Sequence, residues 1–476
     1  MAVKKVFINK KVYMDKVHAA WIGKSIGGTI GTPYEGTKEF LDIEGFSPNI
    51  EGALPNDDLD LQLIWLFALE REGPWHFSAR VLSEYWLSAI VPHWAEYGLS
   101  KANLGEGIPP MLSGELHNDK YKHSNGAWIR SEIWASLTPG FPGFARKFAF
   151  EDAQIDHGLG EGTYAELFTA TLQSMAFFNS DMRCVVETAL SSIPEDCRVA
   201  RAVRLVLDEY DKGTPYRQVR DMLVKQSEDI GWFMAPANIG YVIIGLIYGE
   251  GDFKKSIIYA TNCGDDTDCT AATVGATLGI FYGTKGIPAD WREFVGDKIV
   301  TCCVGTSYRK LVPATCTEFT ERIADMMPIV LRSCGITVEY TDGESVLGYT
   351  ADGVSTKALF NRSRWSFNLP RTGYVDAIAE YDRYPLIKPG ESIGIRLRLS
   401  NLVPDNYNFD VKLILPEGFT ADYQRSCYLR NWNGGESVWE ATVTASDNLS
   451  ALNHVYAILT STTHMQPIIA DFVFEA

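Results

Sequence analysis

The sequence predicts a multidomain protein in which a large all-α domain is followed by a C-terminal β-sandwich. Up to residue 335, apolar residues recur at helical spacing between glycine and proline stops. After that point, short runs such as IGIRLRLSN and FDVKLILP are rich in β-branched residues and alternate apolar with polar positions. We therefore assign residues 1–335 to the all-α domain, 336–372 to a linker or first strands, and 373–476 to a β-sandwich accessory domain.

Composition excludes several classes of partner. The 476 residues are 46% hydrophobic, enough for a sizeable core, and carry a net charge of −17. That charge argues against non-specific binding to nucleic acid and against adhesion to anionic membranes. Nine cysteines are scattered without a CxxC pair, which predicts reduced core thiols. The N-terminal lysines precede neither an apolar signal region nor a transmembrane stretch, so we expect a cytoplasmic protein, with a homo-oligomer left open.

The stretch from Asn262 to Gly283, NCGDDTDCTAATVGATLGIFYG, is the strongest chemical signal in the chain. Asp265, Asp266 and Asp268 crowd into four positions ahead of an uncharged apolar run, and carboxylates that close repel one another unless a cation is present. Short carboxylates suit a hard ion such as Mg²⁺, Mn²⁺ or Ca²⁺. The alternative is an ordinary acidic helix N-terminus, for which one aspartate would be enough.

Two predicted helices carry glycine at every fourth position. Gly275, Gly279 and Gly283 follow the aspartates, and an earlier helix beginning near Val17 contains Gly23, Gly27 and Gly31. Residues four apart share one helix face, so each helix has a face almost bare of side chains. The pattern predicts that the two helices cross with their backbones in close approach.

A second acidic pair opens another predicted helix. Pro55 and Asn56 stop the preceding chain, and Asp57 and Asp58 then start the apolar periodicity of LDLQLIWLFALE. A cap with a first-turn carboxylate is the alternative interpretation. Carboxylate clusters from two distant segments are nevertheless what a two-ion site requires. Glu35 lies on a turn just after the first glycine-rich helix, which we expect to end at Gly31-Thr32-Pro33.

Two polar loops and two tryptophans complete the candidate residues. Asn125-Gly126 predicts a tight turn, and His157 lies on a glycine-rich turn, where we expect it near a surface in either a structural or a functional role. In the C-terminal region, SIGIRLRLSNLV and NFDVKLILPEGF are predicted to form an antiparallel pair. Trp432 and Trp439 are expected to pack in the core or in a hairpin, with an aromatic binding surface as the alternative.

Taken in chain order, these segments resemble the ADP-ribosylglycohydrolase family, all-helical hydrolases that include dinitrogen reductase-activating glycohydrolase. The resemblance covers residues from about 15 to 335. GKSIGGTIGTPYE resembles the family's first glycine-rich helix and its glutamate, NDD its Thr-Asp-Asp motif, SNGAWIR its Asn-Gly loop, and GDDTDCTAATVGATLGIFYG its closing motif. Four motifs in matching order make the resemblance specific.

The resemblance implies two Mg²⁺ or Mn²⁺ ions that hold a ribose while a glycosidic bond to a small-molecule or ADP-ribosylated substrate is hydrolysed. Asn56, Asp57, Asp58 and Asp268 would bind one ion, and Asp266 and Asp268 the other, with Cys269 standing where the family has a threonine ligand. Glu35 would orient or deprotonate the attacking water, and Asp266 would be a second catalytic residue. Ser124, Asn125, Gly126 and His157 would embrace the ribose and phosphates.

The chain departs from the family pattern at three places. Asn56 replaces the threonine of Thr-Asp-Asp, Gly28 replaces the aspartate of the first helix, and Cys269 replaces the closing threonine. A thiol is a poor ligand for Mg²⁺. The Cys269 departure therefore leaves open a catalytically weak protein that binds ADP-ribose or another nucleotide sugar. A metallo-phosphohydrolase is the other alternative, because two carboxylate-bound ions also activate water for phosphate chemistry.

Overall fold

A computed structural model describes residues 4–347, 359–360, 362–430 and 436–476 of the chain. Sixteen α-helices of the described residues lie between Lys10 and Ser333. They are α1 (Lys10–Gly31), α2 (Asp57–Glu72), α3 (Ala79–Ala89), α4 (Ala95–Gly105), α5 (Leu112–Glu115), α6 (Glu132–Leu137), α7 (Pro142–His157), α8 (Glu161–Ala176), α9 (Met182–Leu190), α10 (Arg198–Asp211), α11 (Tyr216–Gln226), α12 (Ala235–Tyr248), α13 (Phe253–Asn262), α14 (Thr267–Tyr282), α15 (Ala289–Val295) and α16 (Cys316–Ser333). Short 3₁₀ helices occupy Thr32–Tyr34, Tyr121–His123, Trp128–Arg130 and Thr284–Gly286.

Eleven strands are found among the described residues. They are β1 (Lys4–Asn9), β2 (Ile336–Thr341), β3 (Ser366–Asn368), β4 (Val375–Tyr381), β5 (Ser392–Asn401), β6 (Tyr407–Ile414), β7 (Thr420–Tyr423), β8 (Ser426–Leu429), β9 (Glu436–Thr444), β10 (Leu452–Ser461) and β11 (His464–Glu475). A two-stranded sheet pairs β1 with β2, a four-stranded sheet has the order β11-β10-β6-β8, and a five-stranded sheet the order β3-β4-β5-β9-β7.

Helices α1 and α14 cross in the predicted backbone-to-backbone contact. A Cβ atom built on Gly23 would lie 2.1 Å from the carbonyl oxygen of Gly275, and one built on Gly279 would lie 2.2 Å from the carbonyl oxygen of Ala19. Both distances are far below van der Waals contact, so side chains are excluded there. The same crossing brings the C-terminal end of α1, at Gly31, against the first turn of α14.

Residues Lys4–Asn9 form strand β1 ahead of the first glycine-rich helix. Its partner β2 comes from the run ITVEY, and the two strands are parallel, with Lys4 opposite Ile336. β2 lies in the segment 336–372, which was predicted to be a linker or first strands, whereas the strand β1 within residues 1–335 was not part of the all-α prediction. Within the segment 336–372, residues 348–358 and 361 lie outside the described residues.

The C-terminal region consists of two antiparallel sheets whose buried side chains share one hydrophobic core. The predicted β5–β6 pair is wrong, because β5 pairs with β4 and β9, whereas β6 pairs with β10 and β8. Both β5 and β6 bury alternate residues. This alternation determines which face of a strand is buried but not which strand pairs with it. Trp439 is buried with its indole N–H bonded to the Gln424 carbonyl oxygen, which confirms the packing role; Trp432 lies outside the described residues.

The helical domain and the sheets are joined by direct contacts. Ile108, Leu112 and Leu116 belong to the same hydrophobic core as the sheet residues. His117 Nε2 lies 3.0 Å from both carboxylate oxygens of Glu475 in the last strand. Within the described ranges, none of the helices combines the length and the hydropathy that a membrane crossing needs.

Candidate active site

The predicted acidic residues meet at one cavity of about 440 Å³ in the helical domain. Its walls come from the first turns of α2, α4 and α14, the turn after α1, and two further segments, Lys120–Ile129 and Trp232–Met234. The lining residues are Glu35, Asp57, Trp94, Ala95, Glu96, Tyr97, Lys120, Tyr121, Ser124, Asn125, Gly126, Ile129, Trp232, Phe233, Met234, Asp266, Asp268 and Cys269. Segments about two hundred positions apart in sequence therefore face the same space.

The three aspartates at the start of α14 have two different environments. Asp265 accepts hydrogen bonds from the Phe233 backbone N–H at 2.8 Å and from Asn238 Nδ2 at 2.9 Å, so its carboxylate holds neighbouring loops together. Asp266 and Asp268 line the cavity instead. Asp268 Oδ1 is buried without a hydrogen-bond partner among the described residues.

The start of α2 divides its polar residues in the same way. Asn56 is the N-cap, and its Oδ1 accepts the Asp58 backbone N–H at 2.8 Å, so the capping alternative describes this residue correctly. Asp57 lines the cavity. Asp58 is fully buried, and its Oδ2 has no hydrogen-bond partner within the described parts of the chain.

Two groups of three residues bring ligand atoms within 4.8 Å of one another: Glu35 with Asp266 and Asp268, and Asp58 with Asp268 and Cys269. Asp268 is common to both. Burial, followed by the charge of Asp268, raises the pKa of Asp57 to about 7. The same two causes raise the pKa of Asp266 well above its ordinary value. Clustered carboxylates with unpaired buried oxygens fit hard divalent cations, which would supply the missing positive charge.

Glu35 reaches the cluster because its turn is fixed to the start of α14. The backbone N–H of Gly36 donates to the Asp265 carbonyl oxygen at 2.8 Å, and Asp265 N donates to the Thr37 carbonyl oxygen at 2.6 Å. Partial burial and then the charge of Asp268 raise the pKa of Glu35 to about 7. A carboxylate with that pKa is suited to proton transfer near neutral pH.

A profile of the ADP-ribosylglycohydrolase family matches residues 9–323 of this chain. The chain belongs to this family. "ADP-ribosylarginine hydrolase Tri1" of Pseudomonas putida (strain GB-1) is 37% identical over 310 residues, covering 59% of this chain and 74% of that protein. The protein of the same name from Serratia proteamaculans (strain 568) is 38% identical over 60 residues, 11% of this chain and 16% of that protein. The chain is accordingly a hydrolase of the ADP-ribosylglycohydrolase family.

Two solved structures share only a small part of the chain. The FixG-related protein from Vibrio parahaemolyticus matches 22% of this chain and 97% of its own, at 13% identity and a TM-score of 0.20. The cupredoxin domain of amoB from Nitrosocaldus yellowstonii matches 22% of this chain and 88% of its own, at 12% identity and a TM-score of 0.18. TM-scores this low do not support an inference about the fold.

Two departures from the ADP-ribosylglycohydrolase pattern are coupled in space. A Cβ atom on Gly28 would lie 1.8 Å from Asn56 Nδ2 and 3.0 Å from its Cγ. Any side chain at position 28 would therefore overlap the asparagine amide. Glycine at position 28 therefore leaves the space that the Asn56 amide occupies.

The third departure places a thiol inside the acidic cluster. Cys269 Sγ lies 3.4 Å from Asp58 Oδ1 and donates a hydrogen bond to it. Burial, and then the charge of Asp266, raises the pKa of Cys269 well above its ordinary value. The metal-free protein thus holds Cys269 as a neutral thiol.

The Asn-Gly loop of the ADP-ribosylglycohydrolase pattern lies at the cavity wall and contacts the acidic cluster. Asn125 Nδ2 donates to Asp266 Oδ2 at 2.7 Å, while Asn125 Oδ1 accepts from the Trp128 indole at 3.1 Å, which fixes the orientation of the amide. Ser124 Oγ lies 3.1 Å from His157 Nε2. Ser124, Asn125 and Gly126 all line the cavity.

His157 is fully buried behind this loop, so the expectation of a position near the surface is wrong. Its neighbouring glycines serve packing: a Cβ atom on Gly162 would lie 2.0 Å from the imidazole Cδ2. His157 Nδ1 lies 2.9 Å from Asp156, whose other contacts include the Arg130 guanidinium at 2.8 Å. Among the described residues, His157 contacts the cavity lining through Ser124, so we expect any part that it takes in binding to be indirect.

Sequence reasoning missed a buried lysine beside the acidic cluster. Lys24 Nζ donates to the Ile129 carbonyl oxygen at 2.7 Å and to Glu132 Oε1 at 3.1 Å, and it lies 3.8 Å from Asp58 Oδ2. Burial acts to lower the pKa of Lys24, but Glu132 and Asp58 outweigh it and raise the pKa. A single lysine in a helix gives no pattern by which it could be found.

The rim of the cavity is aromatic, which sequence reasoning also missed. Trp94, Tyr121, Trp232 and Phe233 line it, together with the basic side chain of Lys120. Phe233 has a φ of +63°, a strained conformation for a residue with a side chain. Such strain is concentrated at functional sites. An aromatic rim with one cation suits a flat base joined to phosphates.

Proposed function

We propose that this protein is a metal-dependent hydrolase that releases ADP-ribose from ADP-ribosylated arginine. Membership of the family supports the reaction class, and the relative from Pseudomonas putida supports the linkage. The observation that carries the proposal is the approach of Glu35, Asp266 and Asp268 to within 4.8 Å at one cavity. Its volume of about 440 Å³ lies in the usual range for small-molecule sites.

We propose Asp57, Asp58, Asp266 and Asp268 as the residues that hold Mg²⁺ or Mn²⁺, with Asp268 shared between two ions. Asn56 stays a predicted ligand through the second lone pair of its capping oxygen. The buried Asp268 Oδ1, which has no hydrogen-bond partner among the described residues, supports this assignment. Asp58 Oδ2 also has no hydrogen-bond partner there, although Lys24 Nζ lies 3.8 Å away. When bound, the ions would lower the pKa of a coordinated water and orient the ribose hydroxyls.

The remaining residues act on protons and position. Glu35 takes a proton from the water that attacks the anomeric carbon. As the bond from that carbon to the arginine nitrogen breaks, Glu35 returns the proton to the leaving guanidine group. Asn125 keeps Asp266 in place through its 2.7 Å hydrogen bond. The aromatic rim stacks on the adenine, and Lys120 pairs with a phosphate.

The test is the release of free ADP-ribose from an ADP-ribosylarginine substrate by purified protein with Mg²⁺ or Mn²⁺. Asp266→Ala should lower the rate at least about 100-fold, since even outer partners of metal ligands cost 10–100-fold. Asp229→Asn is the matched control, because Asp229 is an exposed carboxylate paired with Arg198. Equal rates for wild type and Asp266→Ala would reject the assignment, and inorganic phosphate as product would favour the metallo-phosphohydrolase instead.

A second candidate is a binding protein that holds ADP-ribose or a nucleotide sugar without cleaving it. The observation that favours it is the Cys269 thiol within the acidic cluster. Calorimetry showing tight ADP-ribose binding without turnover would support this alternative. Turnover that rises in Cys269→Thr with Mg²⁺ would instead support the hydrolase, because a hydroxyl is the better ligand for that ion.

We further propose that the two C-terminal sheets form a β-sandwich that serves as an accessory domain. The shared hydrophobic core of the sheets supports the sandwich, and the contribution of Leu112 and Leu116 to it supports a fixed attachment to the helical domain. Among the described residues of this region, no three metal-type ligands come together. The catalytic groups proposed above all come from the helical domain.

A further inference from the structure

We propose that Asp60, Cys302 and Cys303 form a second metal site, selective for a thiophilic divalent cation such as Zn²⁺ and separate from the acidic cavity. One ligand atom from each residue lies within 4.8 Å of the other two. None of the three residues lines the 440 Å³ cavity. A carboxylate with two thiols is a ligand set for Zn²⁺, whereas Mg²⁺ prefers oxygen ligands alone.

The Asp60 carboxylate is fixed and has one oxygen to spare. Its Oδ2 accepts the backbone N–H groups of Cys302 and Cys303, both at 2.6 Å. These two hydrogen bonds hold the carboxylate against the cysteine pair. Its Oδ1 is fully buried without a hydrogen-bond partner in the described ranges. An unpaired buried carboxylate oxygen is costly, and a cation would remove the cost.

The two sulfur atoms already have the spacing of a metal-bound pair. Cys302 Sγ and Cys303 Sγ are 3.7 Å apart. Two thiolates at about 2.3 Å from a tetrahedral Zn²⁺ lie about 3.8 Å apart. The metal-free spacing thus needs almost no adjustment when a cation enters.

The cysteine segment is rigidly held and accessible on one side. Val91 N donates to the Cys303 carbonyl oxygen at 2.8 Å, and Gly305 N donates to the Ala89 carbonyl oxygen at 2.7 Å. Cys303 and Asp60 are buried, whereas Cys302 is exposed and gives a cation a path from solvent. Three protein ligands leave a fourth position for water, as in open zinc sites.

Cadmium reports on this site because its bonds to thiolates absorb in the ultraviolet. Protein freed of metal by a chelator and kept reduced is titrated with Cd²⁺ in a Cys269→Thr background, which removes the thiol of the acidic cluster. We expect one Cd²⁺ to bind with absorption from two thiolates, while any Cd²⁺ held by the carboxylates of the acidic cluster gives no such absorption. Adding Cys302→Ser should halve this absorption and weaken Cd²⁺ binding at least about tenfold.

Two further variants test whether the absorption and the affinity for Cd²⁺ come from this site. Cys184→Ser removes the other exposed cysteine and should leave both the absorption and the affinity unchanged. Asp60→Asn should weaken Cd²⁺ binding while keeping the thiolate absorption. Zn²⁺ should compete with Cd²⁺, whereas excess Mg²⁺ should not.

The proposal is overturned if Cys302→Ser keeps the full absorption while circular dichroism shows a native fold. Cd²⁺ binding without thiolate absorption in the parent would overturn it as well, as would a Cys302–Cys303 disulfide that persists in reductant. Release of ADP-ribose is measured in parallel with Mg²⁺ or Mn²⁺, and Cys302→Ser should retain it. Failure of this site is therefore distinguishable from failure of the proposed hydrolase activity.

Discussion

The starts of helices α2 and α14 both carry acidic residues. At each start one polar side chain makes structural hydrogen bonds, but this residue is an asparagine at α2 and an aspartate at α14. At α2, the neutral Asn56 caps the helix, so Asp57 and Asp58 are free of that task. At α14, the side chain of Asp266 makes no cap hydrogen bond, and Asp265 ties the adjoining loops together instead. Each start therefore uses one polar residue for structure and directs two carboxylates to the shared site.

This difference separates structural aspartates from candidate metal ligands. A carboxylate that accepts two good hydrogen bonds has its charge compensated by the protein. Asp268, with an unpaired buried Oδ1, does not. Two aspartates three positions apart thus differ in whether the protein compensates their charge. Substitutions at Asp265 and Asp268 should therefore have opposite effects on stability.

The largest effect is expected from Asp268→Asn, since Asp268 belongs to both ligand groups. The rate of ADP-ribose release should fall at least about 100-fold. In metal-free protein the same change should raise the melting temperature, because it removes a charge that repels its neighbours. Asp265→Asn should instead lower the melting temperature, because one of its two accepting oxygens becomes an NH₂ group. Stabilisation by Asp265→Asn, or destabilisation by Asp268→Asn, would contradict the division of tasks.

The second prediction concerns pH and metal together. Burial and Asp268 raise the pKa of Asp57 from 3.8 to about 7. Between these values the unfolded chain loses the proton first, so the free energy of unfolding of metal-free protein should fall as pH rises from about 4 to about 7. Mn²⁺ at 100 times its dissociation constant should restore about 2.7 kcal/mol at pH 8. Urea unfolding at pH 5 and pH 8, with chelator and with Mn²⁺, measures both effects. Identical pH profiles under the two conditions would argue against a metal at Asp57.

Features that depend on local sequence could be predicted. The glycine-bare faces of α1 and α14, the stop after Gly31 and the acidic starts at Asp57 and Asp266 follow from spacing, capping and charge within a few residues. Folding brings these two acidic starts to one cavity, as the paired clusters indicated. The ligand roles themselves stay predictions.

Features that depend on distant partners could not be predicted. Two such features are the contacts of Lys24 with Asp58 and of Asp60 with Cys302. Each joins single residues from separate segments, and no periodicity in the sequence indicates them. Strands β5 and β6 both alternate buried and exposed residues, as predicted, but they belong to different sheets. Alternation indicates which face of a strand is buried and does not indicate which strand pairs with it. Glycines near His157 indicated exposure, although Gly162 is there to admit the imidazole ring.

The third prediction tests the coupling between α1 and the start of α2. Gly28→Asp should lower the free energy of unfolding by about 1–3 kcal/mol, the usual cost of overpacking, because its Cβ overlaps the Asn56 amide. Gly28→Asn is the control that adds similar bulk without charge. In the Asn56→Thr background the loss should be less than half as large, because threonine is shorter. Equal losses in both backgrounds would show that the two departures are independent.

The smallest effect is expected at the cap itself. Asn56→Ala should lower the free energy of unfolding of metal-free protein by about 1 kcal/mol, whereas Asn56→Ser should retain most of the stability because its hydroxyl also caps. The amide oxygen has a second lone pair, so we also expect the Mn²⁺ affinity of Asn56→Ala to fall about tenfold. Calorimetric titration of the two variants with Mn²⁺ distinguishes these roles. Unchanged affinity together with the stability loss would assign Asn56 to the helix alone and leave the first ion to carboxylates.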